Sequence, residues 1–325
     1  MRAAEFFAGM GLMRAGLNTA GIETVFANDI DETKAALYRD NWGGDQLTVG
    51  DIRSLAGDDV PDIDLATASF PCVDLSLAGN RRGLDGEHSG LVRDFLRILG
   101  EMGDRSPSTV MIENVVGFLT ANGGEDFDAV RFGLHDLGYS TDHIVVDASA
   151  FVAQSRARVF LIGNRGDMVL PDPPPIRDDL RLSEVAERDG DWWPPARLAR
   201  FLLSLSPVQE ERVSGYQTRP ETSFFGAFRR TRNGSAVWEV RDDERAGALR
   251  TTGGGSSKQA LLRAGRGCLA ARWMSVLEYA RLQGAENLRY DAVTPQQGMF
   301  ALGDAVCVPV VEWLAHNCLV PLLKR

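Results

Sequence analysis

An α/β fold, with a mostly parallel sheet, helices on both faces and a smaller second domain, is predicted by three features of the sequence. Short apolar runs alternate with helical patterns up to about residue 164, and several of these runs end in an acidic residue. The alternation then stops at PDPPP, residues 171–175, as expected of a linker or domain boundary. At 325 residues the chain has room for one large domain or for a large and a small one.

The first strand, AAEFF, runs into the glycine turn FAGMG and a helix beginning near Leu12. Glycines at 9, 11 and 16 do not have the G-x-G-x-x-G spacing of a dinucleotide site, which disfavours a nicotinamide dehydrogenase. ETVFAND forms the second strand and ends in Asp29; a helix follows from about Glu32, and LTVGDI delivers Asp51. A glycine turn plus acids at successive strand ends describes a nucleoside pocket without a phosphate cradle, which fits S-adenosylmethionine. Either acid alone would more often be a helix cap.

IDLATASF is the fourth strand, and Cys72 follows it in the stretch SFPCVDLSLAGNRRGL. Two readings stand: a buried small residue, as is common for free cysteine, or a nucleophile activated by the nearby Arg81 and Arg82 and opposed by Asp74. Cys268, Cys307 and Cys318 are expected to be buried and inert. TVMIEN places Glu113 at the end of another buried strand, where an acid is either functional or a structural cap. In AQSRARVFLIG, Gln154, Arg156 and Arg158 alternate, so an extended segment would present them on one side, as a solvated edge strand also would.

The formal net charge is −10, yet residues 181–270 hold 15 basic against 11 acidic residues and leave the remainder at −14. Basic charge concentrated in one part of an acidic chain suits a phosphate-facing segment or a solvated arginine-rich surface. The four cysteines form no C-x-x-C pair and no metal-ligand spacing with the four histidines, so neither a disulfide framework nor a metal site is expected. The N-terminus has no signal-peptide pattern, and Val306–Leu323 is interrupted by Pro309, Glu312, His316, Asn317 and Pro321. A soluble cytoplasmic protein with no membrane partner is expected.

Taken in order, FAGMG, NDID, GDI, FPC with Ser76, IENV and QSRAR make the chain resemble the DNA cytosine-5 methyltransferases, and RWMSVLEYARLQG and ALGDAVCVPVVEWL resemble that family's last two motifs. Nearly the whole chain is covered except about 171–245, where this family has its variable target-recognition region. Departures from the family pattern are Leu12, Val73, Leu75, Leu277 and Asp304. The resemblance implies a Rossmann-like class I S-adenosylmethionine-dependent methyltransferase fold. Its expected parts are a catalytic, cofactor-binding domain at 1–170, target recognition at 171–270 and a C-terminal return to the catalytic domain at 271–325.

The resemblance also assigns roles. Cofactor contacts fall on Phe7, Ala8, Gly9, Met10 and Gly11, then on Asp29, Ile30, Asp51 and Ile52. Pro71, Leu91, Asp304, Ala305 and Val306 complete that set. Cys72 would add to carbon 6 of a flipped-out cytosine, Glu113 would hydrogen-bond nitrogen 3 and the amine, and Arg156 and Arg158 would contact the carbonyl oxygen and a phosphate. Ser76, Arg81, Arg82 and Gln154, together with Arg229, Arg230, Arg232 and Lys258 of the basic segment, are the expected DNA contacts. The implied partners are duplex DNA and a restriction-modification or other phage-defence system, with the protein itself a monomer. A tRNA-acting branch of the family and a catalytically silent DNA binder are the alternatives.

Overall fold

In the computed structural model of the chain, residues 1–71, 90–232, 235–251 and 258–324 are described, without the side chains of 231, 232, 235 and 236. The chain divides into two compact units. The first comprises Met1–Asp147, Ala157–Pro175 and Val308–Arg325, and the second Ala148–Arg156 and Ile176–Cys307.

The first unit is built on a seven-stranded sheet: β1 (Arg2–Phe6), β2 (Glu23–Asp29), β3 (Leu47–Val49), β4 (Leu65–Ala68), β5 (Thr109–Val115), β6 (Ser140–Asp147) and β7 (Ala157–Asn164), in the order β3-β2-β1-β4-β5-β7-β6. Strands β1 to β5 are parallel and β7 runs antiparallel between β5 and β6, so the sheet is mostly parallel, as expected of the class I methyltransferase fold. Buried on both faces, β4 and most of β5 are continuous apolar runs broken only by Thr67, Thr109, Glu113 and Asn114. Between the strands lie α1 (Leu12–Thr19), α2 (Glu32–Trp42), α3 (Leu91–Glu101) and α4 (Glu125–Asp136). In α3, Val92, Phe95, Ile98 and Leu99 repeat at helical spacing and bury one face, with Phe95 edge-on to Phe6 at 5.2 Å. Removing a side chain of this kind costs roughly 2–5 kcal/mol.

The helical run Pro295–Leu323 is long and apolar enough to cross a membrane by length and composition, but 56 % of its most apolar window is buried inside the protein. Gly16 of α1 explains the close fit of the part belonging to the first unit: a Cβ there would stand 2.5 Å from Val311 Cβ.

The second unit holds a four-stranded antiparallel sheet of β8 (Ser223–Arg232), β9 (Ser235–Val240), β10 (Gln259–Gly265) and β11 (Cys268–Trp273), in the order β11-β10-β8-β9. Its core is aromatic, with Trp193, Phe201, Trp238 and Trp273 in mutual ring contact and Tyr216 stacked on Phe225 at 3.8 Å. Helices Pro195–Leu203 and Pro207–Gln217 each begin with proline, whose missing N–H costs nothing in the first turn.

The bounds of the units differ from the expected divisions at 171 and 271. The first unit's middle segment runs to Pro175, and the return to it begins at Val308. Residues 271–307 stay with the second unit for a local reason: β11 pairs along its length with β10, and Arg272 bonds Glu278 of helix Val276–Gln283 at 2.6 and 2.7 Å. Cys268 is exposed, contrary to the expected burial, because it opens β11 directly after the turn at Arg266 and Gly267. Cys307 and Cys318 are buried, and burial pushes the Cys318 thiol up to about 12.

Candidate active site

The strand order places the carboxyl ends of β1 and β4 side by side at the point where the sheet reverses direction, the usual crevice for a ligand in an open α/β sheet. The turn after β1 is wound through three left-handed residues, Phe7 (φ 58°), Gly9 (φ 57°) and Gly11 (φ 84°). At Gly11 both conformation and space exclude a side chain, since a Cβ would stand 2.4 Å from Trp42 Nε1. Trp42 Nε1 in turn donates to the Met10 carbonyl at 3.1 Å and ties the turn to α2. Phe7, which is not glycine, is held in a conformation that costs of order 1 kcal/mol, the kind of local strain found at functional sites.

Asp29, at the end of β2, accepts from Gly9 N at 2.7 Å and Asp31 N at 2.8 Å, so one carboxylate fixes the glycine turn and the entry to α2. Burial raises its pKa against the pull of Lys34. Asp31 caps α2 through Thr33 N and Lys34 N, while Ile30 between the two acids is 65 % exposed, an apolar side chain beside polar strand ends. Asp51, after β3, accepts from Arg53 N at 2.9 Å and from its guanidinium, which holds the carboxyl below its usual range. Ile52 is buried next to it. Leu91 opens α3 and packs on the core.

Behind the turn lies a polar group that sequence reading missed. Glu5 of β1 is buried, its Oε2 has no hydrogen-bond partner, and desolvation pushes its carboxyl up to about 8 in spite of Arg14. Arg14 donates to Tyr38 Oη at 3.0 Å and lies over the Trp42 ring. The acid inside an otherwise apolar first strand was the signal.

Glu113 is 7 % exposed near the end of β5 and pairs with Arg158 Nε of β7 at 3.0 Å. The antiparallel register puts Val115 opposite Arg158 and Glu113 opposite Phe160, so the two side chains meet diagonally across neighbouring strands. Asn114, also missed, donates to the Phe70 carbonyl at 3.3 Å and holds the end of β4 immediately before Pro71. Its position directly after Glu113 in a buried strand was the available clue. Cys72, Ser76, Arg81 and Arg82 lie outside the described residues.

The expected alternation of Gln154, Arg156 and Arg158 on one strand face does not occur, because β7 starts at Ala157 and residues 148–156 belong to the second unit. Gln154 is wholly buried; it donates to the Leu282 carbonyl at 2.7 Å and accepts from Leu249 N at 3.0 Å, so it does not present a DNA-contacting group. Arg156 is 4 % exposed and donates to the carbonyls of Leu249 and Ala305, each at 2.7 Å, which makes it a positioning residue rather than a substrate contact. Asp304, Ala305 and Val306 close helix Pro295–Asp304, also in the second unit, and the Ala305 carbonyl accepts from both Arg156 and Gln283.

In the basic segment, Arg229 is half-buried opposite Trp238, and Arg230 is paired with Glu239 at 2.9 Å. The side chain of Arg232 lies outside the description. Lys258 Nζ sits over the Trp273 ring at 5.4 Å.

Comparison with known proteins agrees with this geometry. The type II methyltransferase M.HhaI of Haemophilus parahaemolyticus is 25 % identical over 98 % of this chain and 94 % of its own length. M.Bsp6I of Bacillus sp. (strain RFL6) is 30 % identical over 66 % of this chain and 69 % of its own. Among solved structures, the Dnmt2 methyltransferase of S. pombe superposes with a TM-score of 0.69 at 20 % identity, covering 99 % of both chains, and the Entamoeba histolytica methyltransferase EhMeth with 0.72 at 14 %, covering 99 % of this chain and 98 % of that one; these show the shared fold. The C-5 cytosine-specific DNA methylase family matches residues 1–319, and the chain belongs to that family.

Proposed function

We propose that this protein transfers a methyl group from S-adenosylmethionine to carbon 5 of a flipped-out cytosine in a specific duplex sequence, through a transient bond to Cys72. The observation that carries the reading is the buried Glu113–Arg158 pair, set next to the Asn114 contact that holds the residues leading into Cys72. The residues of the strand-end edge suit the cofactor. Its hydroxyls can donate to the remaining lone pairs of the Asp29 carboxylate, Ile30 offers an exposed apolar face to a purine, and the Gly9 and Gly11 turn has no side chain to obstruct close approach. When bound, S-adenosylmethionine supplies the methyl group.

Carbon 5 of cytosine is a weak nucleophile until a thiolate adds at carbon 6 and turns the ring into an enamine. Cys72 makes that bond. Glu113 accepts from the exocyclic amine beside nitrogen 3, favouring cytosine over thymine because thymine sets a carbonyl oxygen against the carboxylate in place of that amine. Arg158 holds that acid in register through Nε, donates to the Ala157 carbonyl through Nη1, and keeps Nη2 to donate to the carbonyl oxygen of the base. Loss of the carbon 5 proton then lets Cys72 leave. Because none of these groups reaches carbon 6 in a stacked duplex, the base is extruded at a cost of about a few kcal/mol.

Restriction-modification, in the cytoplasm and as a monomer, is the setting this reading favours, since the named relatives are type II methyltransferases. The test is incubation with methyl-tritiated S-adenosylmethionine and mixed-sequence duplex DNA beside tRNA. Label is expected in DNA; label confined to tRNA, or absent from both, would overturn the reading.

A further inference from the structure

We infer that Arg197, Arg229 and Lys258 form a phosphodiester site on a tryptophan floor in the second unit, which grips the backbone of the duplex. The inference rests on the proposed DNA-methylating function. Arg197 lies over the Trp193 and Trp273 rings at 4.6 and 5.5 Å, and Lys258 lies over Trp273 at 5.4 Å, so two cations share one indole. Gln259 pairs with Phe228, which brings Lys258 alongside Arg229 at the end of β10 and β8. Arg229 stands directly opposite Trp238, whose ring is stacked on Trp273 at 5.5 Å.

Cation–ring stacking alone has a purely structural explanation, and other arginines of this unit illustrate it. Arg219, Arg230 and Arg272 also lie on aromatic rings, and each reaches a carboxylate as well: Glu244 at 3.7 Å, Glu239 at 2.9 Å and Glu278 at 2.6 Å. Arg263 lies over Trp192 at 4.5 Å without a carboxylate among the described residues, but the other cation on that ring, Arg272, is neutralised by Glu278. Among the described residues, no carboxylate pairs with Arg197, Arg229 or Lys258. Burial and the nearby Arg197 both lower the Lys258 pKa, so the lysine is held where its charge is disfavoured. Like charges converging on one indole repel, and at Trp273, unlike Trp192, neither cation is neutralised by a carboxylate among the described residues. An anion set between them removes the repulsion and takes the planar fork of Arg197 together with the ammonium of Lys258. A phosphodiester fits, because each phosphate of a duplex carries one charge.

The experiment measures duplex binding by fluorescence anisotropy across a salt series. In Arg197→Gln/Lys258→Gln, affinity at about 0.1 M salt is expected to fall about 10-fold for every duplex sequence, and the slope of log affinity against log salt to fall by roughly one to two. Lys258→Gln alone, at a partly exposed position, is expected to lower the slope by about half as much. The charge-conserving Arg197→Lys/Lys258→Arg is expected to keep the wild-type slope. An unchanged slope in a folded glutamine variant, an equal loss in the charge-conserving variant, or a change seen with tRNA and not with DNA would each overturn the site. If the wild-type protein methylates DNA while the slope stays unchanged, the site alone fails; if it neither binds nor methylates DNA, the functional reading fails with it.

Discussion

Arg158 in the first unit is 3.0 Å from the Glu113 carboxylate, whereas Lys258 in the second stands over an indole with no carboxylate paired to it among the described residues. The first is a charge already neutralised by its neighbour and fixed in geometry, suited to an uncharged heterocycle that must be oriented through hydrogen bonds. The second is a charge held in place by apolar surface, suited to an incoming anion. The same contrast runs through both units. Around the glycine turn, Asp29 is bonded to backbone N–H groups and Asp51 to Arg53, so the strand-end edge is pre-organised. On the tryptophan floor, by contrast, Arg197 and Lys258 have no carboxylate partner among the described residues.

The largest expected effect concerns Glu113. Glu113→Gln keeps the shape and loses the charge facing Arg158, and methyl transfer is expected to fall about 10²- to 10³-fold at saturating cofactor, with cofactor affinity unchanged. A fall confined to cofactor affinity would place Glu113 outside the chemistry. Next comes Arg156, which contrasts with Lys258 within one unit. Arg156→Ala is expected to cost about 2–4 kcal/mol of unfolding free energy by orphaning the Leu249 carbonyl and leaving the Ala305 carbonyl only Gln283, while the salt slope of DNA binding per folded molecule stays at its wild-type value. A reduced slope would return Arg156 to the DNA interface.

Gly11→Ala is expected to cost roughly 1–3 kcal/mol and to weaken S-adenosylmethionine binding, read by thermal shift with and without cofactor. The smallest effect is at Glu5. Its folded pKa of about 8 lies above the ordinary carboxyl value, so the folded protein binds the extra proton. That contribution is full below about pH 4.5 and is lost as pH rises through about 8. Glu5→Gln, which cannot ionise, is therefore expected to raise the melting temperature at pH 8 and to leave it unchanged near pH 4.5. A rise at the lower pH as well would assign the effect to packing against Arg14 and Tyr38.

How much of this could be read from the sequence depended on burial. Strands β1 to β5 and β7 are apolar runs covered on both faces or closed by an acid, and their order along the chain was plain. β6 was not, because it is an edge strand in which only Ile144 and Val146 are buried. The second unit's sheet was obscure because its core is made of indoles interleaved with arginines, which leave little hydrophobic period. Of the candidate site, Glu113 and Asp29 were legible from their position at strand ends, and Arg158 from the alternating polar residues before VFLIG. Gln154 and Arg156 were misplaced because three alternating polar residues read as one strand when the strand begins only at Ala157. Glu5, Asn114 and Arg197 were overlooked, since their meaning lies in partners distant in sequence: Arg14, the Phe70 carbonyl and Trp273.

The decisive measurement is the position of the methyl group. Duplex DNA treated with the protein and S-adenosylmethionine would be digested to nucleosides and analysed by mass spectrometry, alongside the Cys72→Ser variant. The account predicts 5-methylcytosine in the wild-type reaction and none above background with Cys72→Ser. Methyl groups on an exocyclic amine, or 5-methylcytosine undiminished in Cys72→Ser, would contradict it.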